Sequence, residues 1–442
     1  MKIKKFLVVF FLLLASLGII AISAQQITIT VQDYFASGGE LEFLNWAIKT
    51  YEASHPNVTI NHVYVPRDSI MQKTLQEKLT GTLPDIIMAD NPWVPSLIQA
   101  GIWMNIKPYV ENWDYYKTMY KPYKDLGTYN GGFYTLQYGT NNVLLFYNGK
   151  YLKEAGITEL PTTWDQLLQV CAQLKDKLGS SGIYPIGFSA APEEECTWQF
   201  EPFLWSNGGN LLDLSSTPSV QALQFWTTLV QKGYAPKSVV NWEQGDVGTM
   251  FANGKLAMMI NGCWEFSWHV LPDVVSKYDV GVVEMPVPKA GLNPVVPFGG
   301  ESFGIAFNEP ADRLPTALDF LKFLYSPENI AKWDLDSSYI PVAECAVSSF
   351  ENDLSPSMRS LLEPFMEQAK HAVARPIAGG GALYPNISSI VWTAIEQALI
   401  GSKTPEQAFL SASQQIKGLF PNQSAYEQTV QEASTAVEEA MK

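Results

Sequence analysis

Gly131–Val170 reads GGFYTLQYGTNNVLLFYNGKYLKEAGITELPTTWDQLLQV. It is a Gly-Gly turn, an apolar strand, a tyrosine-asparagine end, and then Pro161-Thr162-Thr163-Trp164 opening an amphipathic helix. A side-chain oxygen on Thr162 or Thr163 can cap that helix by accepting from an orphan backbone N–H. Leu167, Leu168, Val170, Cys171 and Leu174 then recur at helical spacing, which predicts one buried face. A strand handing over to a capped helix is the unit of an α/β domain.

The same rhythm runs along the rest of the chain. Ile27–Val31 reads as a strand, Leu41–Ala53 as a helix with Leu44, Ile48 and Tyr51 inward, and Val58–Val65 as a second strand. Ser69–Leu79 is helical, and LPDIIMAD (residues 83–90) is a buried strand ending in an acid. Continuous apolar runs between amphipathic helices predict a mostly parallel sheet with helices on its faces. The pattern restarts after Tyr147, so two lobes of one architecture are expected without a sequence repeat. Ser219–Val230, Asp312–Leu324 and Ile390–Leu399 read as further helices, and Gly379-Gly380-Gly381 as a tight loop.

The chain opens with a basic segment carrying Lys2, Lys4 and Lys5, followed by the uncharged apolar run Phe6–Ile22 and the small residues Ser23 and Ala24. That is the pattern of a secretory signal, with cleavage after Ser23 or Ala24. The run is also about long enough to serve as an uncleaved anchor. No cysteine follows it, so a lipid anchor is not expected, and a periplasmic or extracellular location is. Losing Met1–Ala24 removes three lysines and no acid, which takes the net charge from −15 to −18. This disfavours nucleic acid and anionic membrane as partners. The arginines are Arg67, Arg313, Arg359 and Arg375 alone, few for a strongly anionic ligand. Four cysteines at these spacings match no zinc pattern, and Cys196–Cys263 is the pair to test for a disulfide. No cofactor or metal is expected. Aromatics make up 12 % of the chain; loop tryptophans beside Gly, Asn and acids suit a sugar, which offers an apolar ring face and a rim of hydroxyls.

Six stretches carry a resemblance. In the opening segment, Gln137 stands where a Tyr-x-Leu-Pro strand has proline, and Phe146-Tyr147-Asn148 stands for Tyr-Tyr-Asn. Lys153-Glu154-Ala155-Gly156 and Pro161-x-Thr163-Trp164 follow in order. LPDIIMADNPWVPSLIQAGIWMNI (83–106), MFANGKLAMMINGCWE (250–265), GGESFGIAFNEPADRLPTALDFLKFLYSPENIAKW (299–333), SYIPV (338–342) and IVWTAIEQALIGSKTPEQAF (390–409) complete the set. Together they resemble the extracellular solute-binding proteins of ABC transporters, the maltose-binding-protein-like sugar binders. The resemblance implies two discontinuous α/β lobes: residues 25–138 with 304–345, and 139–303 with 346–442. Three crossovers would join them, near Tyr138–Val143, Glu301–Gly304 and Ile340–Glu344. Open α/β sheets bind ligands beyond their strand ends, which agrees with a crevice between the lobes.

The candidates for that crevice each have a plainer alternative. Asp90 ends a strand and could accept from two sugar hydroxyls, or cap the helix after it. Trp93 could stack on sugar or cover that helix. Glu40 matches an acidic ligand contact of disaccharide-binding relatives, but also suits a helix's first turn. Arg67 is a ligand contact or a solvated loop residue. Tyr138 and Asn141 flank the first crossing, and Gly299, Gly300 and Glu301 the second, so each is a hinge or ligand residue. By resemblance, Arg375 in Ala-Arg-Pro supplies a cleft arginine, with Tyr384 reaching the same space, and Trp264 supplies the stacking ring of the second lobe. Trp198, Glu201, Trp205 and Trp242 rank below these. The function expected is capture of a mono- to oligosaccharide by a monomeric, non-enzymatic protein that passes it to an ABC permease. The alternatives are a secreted glycosidase built on Glu40, Asp90 or Glu301, or a binder of glycerol phosphate.

Overall fold

The structure is a computed structural model describing residues 25–442; the expected signal segment lies outside the described residues. Nine strands build its two main sheets: β1 (Ile27–Asp33), β2 (Val58–Tyr64), β3 (Ile86–Asp90), β4 (Leu136–Gln137), β5 (Val143–Asn148), β6 (Tyr184–Gly187), β7 (Leu256–Gly262), β8 (Val280–Val283) and β9 (Glu301–Ile305). The first sheet has the order β2-β1-β3-β9-β4 and the second β8-β5-β7-β6. Each has helices packed against it, so the chain forms two α/β lobes.

The expectation of mostly parallel sheets holds for only part of each. β1 runs parallel to β2 and β3, but β9 is antiparallel to both its neighbours. In the second sheet β5 is antiparallel to β7 and β8, and only β7–β6 is parallel. The reason is connectivity. β5 and β9 are each entered from the other lobe, so each joins its sheet from the opposite end. Apolar content reports that a strand is buried and not which way it runs.

Local sequence predicts the helices well. Thr163 caps Trp164–Leu178 in a capping box with Gln166, and Leu167, Val170, Cys171 and Leu174 are buried there. The helix Gly38–Ser54 buries Phe43, Leu44, Ala47 and Tyr51. The last long helix before Gly401 begins at Tyr384, ahead of the expected Ile390.

The crossings are knitted together. Gly139–Thr140 pairs antiparallel with Ile340–Pro341. The Gln137 amide donates to the carbonyls of Gly139 (2.8 Å) and Gly299 (3.1 Å), and Thr140 Oγ1 also donates to Gly299 (3.0 Å). A Cβ on Gly299 would meet Asn141 Oδ1 at 2.2 Å; Gly300 has φ +115° and would meet the Gly139 carbonyl at 2.4 Å. Only glycine tolerates both the approach and that dihedral. Two expected boundaries shift. Glu301–Gly304 is part of β9, paired with β3 along its length, so this crossing is at Gly299–Gly300. The helix Glu344–Asp353 packs on Pro327–Ser337 and Asp114–Thr118 of the first lobe, so the final return lies beyond it and not at 345.

All four cysteines are free, so the Cys196–Cys263 bridge is not formed; both thiols are buried, in separate apolar clusters. No described helix is long and apolar enough to cross a membrane.

Candidate functional site

One cleft collects the ends of β1 and β3, the crossings, and loops of the second lobe. It holds about 670 Å³ of space, part of it open solvent. The first lobe supplies Tyr34 and Phe35, just past β1, with Glu40, Arg67 and Asp90. The second supplies Glu195, Trp198, Gln244, Gly245, Trp264 and Trp268. Asn141, Gly300, Glu301 and Tyr339 enter from the crossing segments, and Arg375 follows the short strand Ala372–Ala374.

Asp90 is the hub of the site. It precedes a short 3₁₀ turn but makes no capping bond. Its Oδ1 accepts from Arg375 (2.7 Å) and its Oδ2 from Arg67 (3.0 Å). Arg67 continues to Glu193 (2.8 Å) and lies 3.5 Å from Glu195. Arg375 continues to Glu194 (2.8 Å). The result is an alternating chain Glu193–Arg67–Asp90–Arg375–Glu194 that ties the two lobes. Each guanidinium also lies over an indole, Arg67 5.7 Å from the Trp93 centroid and Arg375 4.3 Å from that of Trp198.

Glu301 has a different environment. Tyr34 and Tyr138 each donate to it at 2.7 Å. Burial, then the charge of Asp90, push its pKa up to about 7. Glu40 accepts from the Trp268 indole across the cleft at 2.9 Å, and burial pushes it up to about 8. Glu265, below Trp264, accepts from Asn261 (2.8 Å) and His269 (3.0 Å); its pKa is raised by burial, and that of His269 by the bond to Glu265.

Of the expected residues, Glu40, Arg67, Asp90, Asn141, Trp264, Gly300, Glu301 and Arg375 come together on the cleft wall. Four do not. Trp93 lies beneath the Arg67 guanidinium. Tyr138 is fully buried, stacked on Trp333 at 4.2 Å and 3°, and reaches the cleft only through Glu301. Gly299 packs the crossing against Asn141 and Trp198. Tyr384 lies behind the wall, its hydroxyl 2.9 Å from Glu194 and 2.8 Å from Glu201. One hydroxyl proton cannot serve both acids. Burial raises the pKa of Glu201 well above the usual carboxylate range. Trp205 is core, and Trp242 packs between the two lobes' apolar clusters. Trp198 alone of the lower-ranked residues lines the cleft.

Sequence reasoning passed over Tyr34, Phe35, Trp268, Tyr339, Glu195, Gln244 and Gly245. Tyr34 and Phe35 directly follow β1, and the strand-end rule that singled out Asp90 applies to them equally. Trp268 is one helical turn after Trp264, hence on the same face. Glu195, Gln244 and Gly245 carry no local signal.

Among the described residues no group of His, Cys, Asp and Glu is placed to hold a metal ion. Residues 46–353 match the family model of bacterial extracellular solute-binding proteins, and the chain belongs to that family. It is a solute-binding protein of the ABC-transporter type. A binding protein of Brucella abortus is 24 % identical over 413 residues, covering 91 % of this chain and 96 % of its own. The sn-glycerol-3-phosphate-binding periplasmic protein UgpB of Pectobacterium atrosepticum is 23 % identical over 295 residues, 64 % of this chain and 65 % of its own. Among solved structures, maltose-bound MalE3 of T. maritima superposes with a TM-score of 0.79 at 24 % identity, covering 89 % of this chain and all of its own. A solute-binding protein of Thermotoga lettingae bound to α-D-tagatose superposes at 0.76 with 25 % identity, covering 90 % and all of its own.

Proposed function

We propose that this protein captures a mono- to oligosaccharide between its lobes and delivers it to an ABC permease outside the cytoplasmic membrane. The observation that carries the reading is the composition of the cleft. Rings from both lobes, among them Phe35, Tyr339, Trp264 and Trp268, line the cleft beside carboxyl and amide groups able to bind hydroxyls. The solved relatives with maltose and tagatose support the same class. A glycerol phosphate ligand fits less well, because both cleft arginines already hold two acids each. A hydrolytic role finds no free base in Asp90, whose two oxygens are held by guanidinium groups. No catalytic step is part of this reading.

Binding proceeds by hinge closure, for which periplasmic binding proteins are a standard example. Ligand meets one lobe first, and closure adds the other lobe's contacts, so the closed population grows with ligand. Micromolar affinity needs about 8 kcal/mol, which a few charge-assisted hydrogen bonds and ring burial supply. Screening the mature protein against a sugar panel by thermal shift tests the reading, since a ligand of the native state raises its melting temperature. A flat response across the panel overturns it.

Two outcomes are expected with the sugar that responds best. Trp264→Ala weakens binding by about 1–3 kcal/mol, the loss of a ring contact at an interface centre. Unchanged affinity in a folded variant removes Trp264 from the site. The radius of gyration from small-angle scattering falls at saturating sugar, with the bend at Tyr138–Val143 and Gly299–Gly300. Identical profiles with and without sugar count against closure, though not against binding.

A further inference from the structure

We propose that the sugar taken by this cleft carries a protonated amine, as an amino sugar or amino-substituted oligosaccharide does, with its ammonium seated between Glu40 and Glu301. The inference rests on the sugar reading and narrows it.

Charge on the wall is the first ground. Four carboxyls line the cleft, Glu40, Asp90, Glu195 and Glu301, against the two guanidiniums of Arg67 and Arg375. No lysine lines it. The guanidiniums are already committed. Arg67 is shared by Asp90 and Glu193 with Glu195 close by, and Arg375 by Asp90 and Glu194. Asp90 and Glu195 therefore have cationic neighbours within 3.5 Å, while neither Glu40 nor Glu301 forms an ion pair among the described residues. Their donors are neutral: the Trp268 indole for Glu40, and the Tyr34 and Tyr138 hydroxyls for Glu301.

The second ground is burial. Glu40 is 2 % exposed and Glu301 6 %. A carboxylate in such a place without a counter-charge is costly, and it either keeps a proton or takes a cation. Burial and the neighbouring acids raise the proton affinity of both groups, against the weaker opposing pull of their hydrogen-bond donors and, for Glu301, of Arg67. Glu40 faces Glu301 and Glu265. Glu301 faces Asp90, with the Arg67 charge spread over other acids. The hydroxyls of Tyr34, Tyr138 and Tyr339 complete the surroundings and carry no charge at neutral pH. A neutral ring closed over this pair leaves both acids to keep their protons. An ammonium balances the charge of one ionised acid while the other keeps its proton, and converts a neutral hydrogen bond into a charge-assisted one.

The third ground is the aromatic lining. Phe35, Trp264, Trp268 and Tyr339 surround the same space. Ring faces attract a cation as well as a sugar's C–H face, and more strongly once water is excluded.

The test is calorimetric titration of the mature protein, at about pH 6.5 so that a sugar amine is charged. The probes are the deacetylated glucosamine disaccharide, its N,N′-diacetyl form, cellobiose, putrescine and glycerol 3-phosphate. The amine disaccharide is expected to bind about tenfold or more tighter than both neutral disaccharides, the gain of one charge-assisted bond. Glu301→Gln and Glu40→Gln are each expected to shrink the ratio of amine-disaccharide to neutral-disaccharide affinity, whatever they do to the neutral-sugar affinity itself. Equal or weaker binding of the amine overturns the inference and leaves the sugar reading standing. Binding of putrescine with no sugar overturns the amino-sugar assignment and the sugar reading together. Binding of glycerol 3-phosphate alone does the same.

Discussion

Asp90→Ala is expected to destabilise the ligand-free protein by about 3–5 kcal/mol, the cost of removing one partner from a buried ion-pair network. The substitution strands two guanidiniums. Arg375 is 3 % exposed at its side chain and would keep Glu194 alone, with its Nε already lacking a partner. Arg67 would keep only its second-lobe acids, and the link between β3 and the far side of the cleft would be cut. Loss of a helix cap would cost less, about 0.5–2 kcal/mol, and no capping bond exists to lose. From sequence, a ligand role for Asp90 implies an affinity loss with no change in apo stability. The structure adds a stability cost to that expectation, because both carboxylate oxygens of Asp90 are held by guanidinium groups. Urea titration without sugar measures the effect. A midpoint equal to that of the unmodified protein would remove the network from the account of cleft stability.

The melting temperature of the ligand-free protein is expected to fall as pH rises from about 5 to about 8.5. Glu40 titrates near 8 and Glu301 near 7 in the folded state, against an ordinary 4.5 for each. Between those values the native state holds a proton that the unfolded chain has released. Stability therefore falls with rising pH, by up to about 1.4 kcal/mol per pH unit for each such group. The contribution is full below pH 4.5 and is gone above pH 8 for Glu40. His269 adds in the same sense, since its pairing with Glu265 raises its pKa and the bond's charge is lost as it deprotonates. Glu40→Gln, neutral at every pH, should flatten the profile above about pH 5 while still accepting from Trp268. A melting temperature that is constant or rises across this range contradicts the assignment of two protonated carboxyls to the cleft.

Sequence by itself determined what depends on neighbours along the chain. Thr163 and Gln166 form their capping box because both partners lie within one turn, and the 3.6-residue spacing of Leu167, Val170, Cys171 and Leu174 marks a buried face wherever the helix packs. The strand-end acid Asp90, the Gly299-Gly300 pair and the Asn-Gly-Cys-Trp turn were legible for the same reason, and with them the family and eight residues of the cleft wall, though the second crossing was read two residues too late. Tertiary structure decided whatever depends on chain segments far apart. Strand direction in β5 and β9 follows from which lobe the chain arrives from. The pairing of Asp90 with Arg375, and of Glu40 with Trp268, joins residues hundreds of positions apart. Tyr138 and Tyr384, both expected on the cleft, lie behind it because Glu301 and Glu194 stand in front of their hydroxyls. A residue type announces what it can bind. Which groups are already bound, and so which charge is left for a ligand, is set only when the two lobes come together.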